Sequence, residues 1–194
     1  MAIKPILFNT EMVRAILDGR KTCTRRLVRF LPGENPQWTG YIRDGLMLYN
    51  GRNEPCIIKV PYQPGDTLYV RETWCGLPVN EAGHMRGHTI YYYKADGELR
   101  PKGWRGTWHP SIHMPKEAAR IWLKVTDVRV ERLQDMTDDD AEAEGCFDYT
   151  STALGFFDVW DSTIKKSDLD RYGWNANPWV WVIKFERCEK PERV

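Results

Sequence analysis

Two segments of this chain alternate too regularly to be helices. From Trp179 to Arg187, the residues Trp179, Trp181, Ile183 and Phe185 share one side. Between Arg120 and Arg132, the residues Ile121, Leu123, Val125 and Val128 are set among polar ones. Shorter strand patterns lie at about Thr22–Val28, Ile57–Tyr62, Thr67–Trp74 and His88–Lys94, with a hairpin at Tyr41–Tyr49. The turn Gln63-Pro64-Gly65-Asp66 joins two of them. Helical patterns are few and short. Asn9 or Thr10 caps a first one that Gly19 ends. Thr137 caps a second, with Asp138, Asp139 and Asp140 in its first turn. Phe156, Val159, Trp160 and Ile164 form the apolar face of a third, over Thr152–Lys166. Strands and helices do not alternate, so a doubly wound parallel sheet is disfavoured. The pattern predicts an α+β fold, or a small barrel decorated by helices.

The 194 residues suit a single domain spanning 1–194. Lys and Arg number 28 against 27 acids, for a net charge of +1, which excludes a polybasic nucleic-acid binder. The balance hides an uneven distribution. Residues 1–60 carry ten Lys/Arg against five acids, whereas residues 135–148 carry seven acids and no Lys or Arg. No apolar run reaches the length of a membrane span, and the first residues lack the apolar stretch of a signal peptide. The five cysteines form no CxxC pair, so the expected setting is a reducing cytoplasm. Nine Trp imply an aromatic core, exposed rings that stack on a flat ligand, or both.

The densest chemical feature is Gly19-Arg20-Lys21-Thr22-Cys23-Thr24-Arg25-Arg26, where a helix ends and a strand begins. By itself this is compatible with a polar loop and a strand edge guarded by cations. Gly19, Lys21, Thr24 and Arg26 nevertheless fall on the GxKxxExR pattern of ASCH domains, small β-barrels related to PUA domains. Thr24 stands at the glutamate of that pattern. In this the chain resembles one branch, the small bacterial N(4)-acetylcytidine amidohydrolases, whose motif reads GRKTxTxR. Pro64–Val70 resembles the family's glycine-aspartate turn into a strand, and Trp179–Arg187 resembles its closing strand. The remainder, at about 31–57, 77–115 and 148–176, reads as insertions, a long form similar to ASCH proteins of phages and prophages.

That resemblance implies a catalytic Lys, Thr and Glu. Lys21 and Thr24 match the first two by position. The third falls in the acidic segment Leu133–Gly145, at Glu144, with Glu142 as the neighbouring alternative. A carboxylate at a helix C-terminus conflicts with the macrodipole, whereas the acids at the N-terminus are ordinary capping. The implied roles are Thr24 as nucleophile, Lys21 as its activating base and Glu144 as acid/base or water positioner. Arg26 would bind an oxyanion or phosphate. This requires Lys21 to lie in the turn before the strand, since residues 21 and 24 of a regular strand face opposite ways.

Arg71, Glu72 and Trp74, at a strand end, are the expected substrate-binding group, with Trp74 as stacking platform and Trp38 and Trp108 as second choices. The pairs His84/His88 and His109/His113 have zinc-like spacing, but Gly87 and Pro110 argue against helices there, so no metal or cofactor is expected. The expected partner is a modified nucleoside or RNA. The alternatives are a non-catalytic RNA or modified-base binding module and a ribonuclease.

Overall fold

In the computed structural model the two alternating segments are the longest strands, and they pair with each other. The structure describes residues 1–29, 37–42, 46–49, 55–58, 60–79, 88–97, 106–146 and 152–192, with the backbone alone at 37–42, 46–49, 55–58, 79, 88 and 152–154. In chain order the elements are β1 (Ile3–Leu7), α1 (Thr10–Leu17), β2 (Cys23–Leu27), β3 (Gln37–Ile42), β4 (Leu46–Tyr49), β5 (Pro55–Ile58), β6 (Thr67–Arg71), β7 (Trp74–Val79), β8 (His88–Tyr93), β9 (Trp122–Arg132), α2 (Asp138–Ala143), α3 (Thr152–Thr163), α4 (Leu169–Tyr172) and β10 (Trp179–Cys188).

Five strands form the main sheet, in the order β1-β6-β9-β10-β2. β1 runs parallel to β6, and the other neighbours are antiparallel. Two small antiparallel sheets, β3-β4-β5 and β7-β8, stand apart from it. The architecture is α+β. The edges β1 and β2 are not joined by strand pairing among the described residues, but the Arg26 guanidinium on β2 donates to the carbonyl of Leu7 on β1 at 2.8 Å. The sheet therefore curls until its two edges face each other across one side chain.

The structure departs from the sequence reading at three places. The expected strand Thr67–Trp74 breaks after Arg71, and β7 leaves for another sheet, where Trp74 bridges His109. The strand expected at Ile57–Tyr62 ends at Ile58 as β5. β1 was not expected, because Pro5 interrupts its short apolar pattern; a strand at the sheet edge tolerates a residue without an N–H.

β10 is buried on both faces. Trp181, Ile183 and Phe185 join Leu68, Leu123 and Val125 in the principal core, with Trp179 partly covered beside them. Each fully buried Leu or Ile here contributes about 1.5–3 kcal/mol. Val180 and Val182, on the other face, are equally buried in a second core with Leu133, Ala141, Phe156 and Trp160. Helices α2 and α3 supply that cover. The described part of the expected insertion at 148–176, residues 152–176, thus closes the back of the sheet. No helix among the described residues is long and apolar enough to cross a membrane.

Candidate functional site

The start of β2 is fixed by two helix ends. Gly19 adopts a left-handed φ of 75°, and the N–H groups of Arg20 and Lys21 both donate to the Ala15 carbonyl, at 2.9 and 3.0 Å. Lys21 is therefore held in the turn before β2. The next N–H, of Thr22, donates to Ala143 at the end of α2 at 2.8 Å.

Glu144 is the C-terminal cap of α2, followed by Gly145 at φ 92°. The Lys21 ammonium reaches both its carbonyl, at 2.9 Å, and its carboxylate Oε2, at 2.5 Å. This removes the conflict of an acid at a helix C-terminus: Lys21 answers the orphan carbonyl and the carboxylate together. Glu142, the alternative, is exposed and does not line the site.

Behind this pair lies a buried ion network. Arg25 donates through Nη1 to Glu144 Oε1 at 3.4 Å and through Nη2 to Glu131 at 2.6 Å, and its Nη2 is 3.3 Å from Asp140. Burial works against the Arg25 charge, but Glu144 and Glu131 outweigh it and raise its pKa. Arg129 closes the network on Glu131 and Asp140. Thr24 is buried on the opposite face of β2 from Arg25, in register with Ile183. Its hydroxyl has no hydrogen-bond partner among the described residues. The neighbouring Cys23 thiol is pushed up to about 12 by burial and then by the Glu144 charge, so it is not a thiolate nucleophile.

Lys21, Thr24, Arg26 and Glu144 line one cavity of about 410 Å³, within the range of small-molecule sites. It lies along the free edge of β2. Phe8 and Met12 bound it on one side, and Phe156, Val159 and Trp160 of α3, with Ile164 just after it, on another. The Phe8 ring lies under both Lys21 and Arg26, at 5.6 and 5.2 Å.

The expected stacking group lies elsewhere. Arg71, Glu72 and Trp74 do not line this cavity. The Arg71 guanidinium donates to the carbonyls of Ile112 and Met114, which ties down the loop between β8 and β9. Glu72 accepts two hydrogen bonds from Arg120, at 2.9 and 3.1 Å. Trp74 packs against Tyr91 and His109. Sequence reasoning put the strand end at Trp74, when the chain had already left the main sheet at Glu72. The aromatic wall of the cavity is instead Phe156 and Trp160, whose i,i+4 spacing reads in sequence as an ordinary core face. Trp38 lies in β3, where side chains are outside the description, and Trp108 does not line the cavity. Among the described residues no group of three His, Cys, Asp or Glu is arranged to hold a metal ion.

No family model and no curated protein matches the chain. Among solved structures it is similar to the crystal structure of an ASCH domain from Lactobacillus crispatus, at 12% identity and a TM-score of 0.48, over 96% of this chain and 79% of that one.

Proposed function

We propose that the chain is an ASCH-type amidohydrolase that removes the acyl group from an N(4)-acylated cytidine or a related modified nucleoside, with its own side chains as catalysts. One observation carries this reading. Lys21, Thr24 and Glu144, up to 123 positions apart in sequence, line a single cavity beside aromatic rings.

The Lys21–Glu144 hydrogen bond imposes an order on the proton transfers. Lys21 becomes a base only by passing its proton along that bond to Glu144. The Thr24 hydroxyl then attacks the amide carbon and gives its proton to Lys21. Lys21, charged again, faces the oxyanion. Collapse of the intermediate breaks the C–N bond, and the proton on Glu144 goes to the departing cytosine amine. An acyl-threonine remains with the ion pair restored. Water then repeats the sequence, giving its proton to Lys21 while Glu144 protonates the Thr24 oxygen.

The test is incubation with N(4)-acetylcytidine and chromatography for cytidine. Wild type releases cytidine, Thr24→Ala abolishes release, and Lys21→Ala lowers it roughly 10²–10⁴-fold, with circular dichroism reporting on the fold. No product from wild type, or unchanged turnover in both variants, rejects the assignment.

One observation favours a second reading, a non-catalytic module that binds RNA or a modified base. Lys21 is already satisfied twice at rest, by the carbonyl and by the carboxylate of Glu144. The pair would then be a strut beneath the ligand. Tight, salt-sensitive RNA binding without product selects this reading.

A further inference from the structure

The cavity carries more positive charge than its own acids balance. Its described lining holds Lys21, Arg25, Arg26 and Arg29 against Glu144. Lys21 is committed to Glu144, and Arg25 to Glu131, Asp140 and Glu144. Among the described residues two cations are left over. Arg26 donates there only to carbonyls, of Leu7 at 2.8 Å and of Arg25 at 3.4 Å. Arg29, two residues past the end of β2, is exposed at the cavity mouth and has no partner among the described residues.

A guanidinium held among neutral carbonyls beside a solvated second one is a site for an oxyanion, and Arg suits phosphate geometry best. The α3 wall suits a flat ring. Trp160 is fixed by its Nε1 donating to the Tyr172 carbonyl at 2.9 Å, and Phe156 lies 6.0 Å from it at an interplanar angle of 32°. A neutral nucleoside would satisfy the rings and leave both cations unanswered.

We propose that the ligand is a phosphorylated nucleoside, its phosphate held by Arg26 and Arg29 and its base lying against Phe156 and Trp160. The identity of the base rests on the function proposed above; the phosphate rests on the charge count alone. The phosphate can belong to a free mononucleotide or to an RNA strand.

The experiment is calorimetric titration of the full chain with cytidine, cytidine 5′-monophosphate and a short single-stranded oligoribonucleotide, at low and high salt. The monophosphate is expected to bind about tenfold more tightly than cytidine at low salt, with the gain shrinking as salt rises. Arg29→Ala, an exposed change, removes the gain and leaves cytidine binding and thermal stability unaltered; Arg29→Lys restores part of it. RNA that binds at least as tightly as the monophosphate identifies the strand as the source. A monophosphate that binds where RNA does not identifies the free nucleotide. Equal binding of cytidine and its monophosphate, an undiminished gain in Arg29→Ala, or no binding of any of the three overturns the proposal. Hydrolysis of N(4)-acetylcytidine without a phosphate gain sinks this inference and spares the amidohydrolase; a phosphate gain without hydrolysis does the reverse.

Discussion

Lys21 and Glu144 are 3% and 4% exposed, so each needs the other. Breaking a buried pair strands one charge, whereas replacing both partners by apolar groups strands none. Lys21→Met alone is therefore expected to cost about 3–5 kcal/mol in urea unfolding, and Lys21→Met with Glu144→Leu distinctly less than the sum of the two single changes. Additive losses would show that the pair is not coupled. The catalytic candidates were legible because a short motif carries Lys21, Thr24 and Arg26. Arg25 was legible only as a neighbouring charge: its partners Glu131, Asp140 and Glu144 lie more than a hundred positions away, and no local spacing announces them. Trp74 misled for the opposite reason, since a local strand signal was stronger than the turn that ends it. Its ring N–H is buried without a partner among the described residues. Trp74→Phe is accordingly expected to leave ligand binding unchanged and stability at or slightly above wild type, whereas Trp160→Phe weakens binding in the same titration. Equal effects of the two would remove the α3 wall from the site.

The site depends on two helix ends meeting, and a glycine permits each. A Cβ on Gly145 would stand 2.9 Å from the Ala15 Cβ, with Lys21 Cβ at 3.4 Å, so α2 packs against α1 only because that atom is missing. Gly19 has the same sign of φ but open space around it. Gly19→Ala should cost the left-handed strain, about 1–2 kcal/mol. Gly145→Ala should cost that and about 1–3 kcal/mol of overpacking. Thermal unfolding of the two variants separates strain from packing, and equal shifts would refute the packing term. Sequence showed where the first helix stops, through Gly19, and where the second starts, through the Thr137 cap. It did not show that their ends touch, because contact between α1 and α2 is set by the pairing of β2 with β10. The α3 face was legible in the same limited way. Its periodicity gave Phe156, Val159, Trp160 and Ile164 one side, and only the fold turns that side toward a cavity.

At the scale of the molecule, one carboxylate adds to the β6 pairing that holds the edge strand β1. Asp66, in the turn that the sequence predicted, accepts the N–H of Ala2 at 2.9 Å, the N–H of Gln63 at 3.0 Å and the Lys4 ammonium at 2.7 Å. Burial alone would raise its pKa, but these donors outweigh it and hold the group below the usual carboxylate value. Asp140 is shifted the same way: burial again opposes, while the Thr137 N–H, Arg25 and Arg129 prevail. The unfolded chain therefore takes up protons at these groups before the folded one does. Their contribution to stability is complete above the unfolded value of about 4 and disappears as pH falls through the lower folded values. Urea midpoints should be flat near neutrality and drop below about pH 4. Asp66→Asn should lower the midpoint at pH 7, where the Lys4 attraction is lost, and lose less on going from pH 7 to pH 3 than wild type does. An acid slope in Asp66→Asn as steep as that of wild type would show that other carboxylates carry the transition. The consequence reaches the cavity, because β1 leads directly into Leu7 and Phe8, which line it opposite the free edge of β2. Loss of the Asp66 contacts in acid thus loosens one tie of the β1 wall, to which Arg26 donates at Leu7.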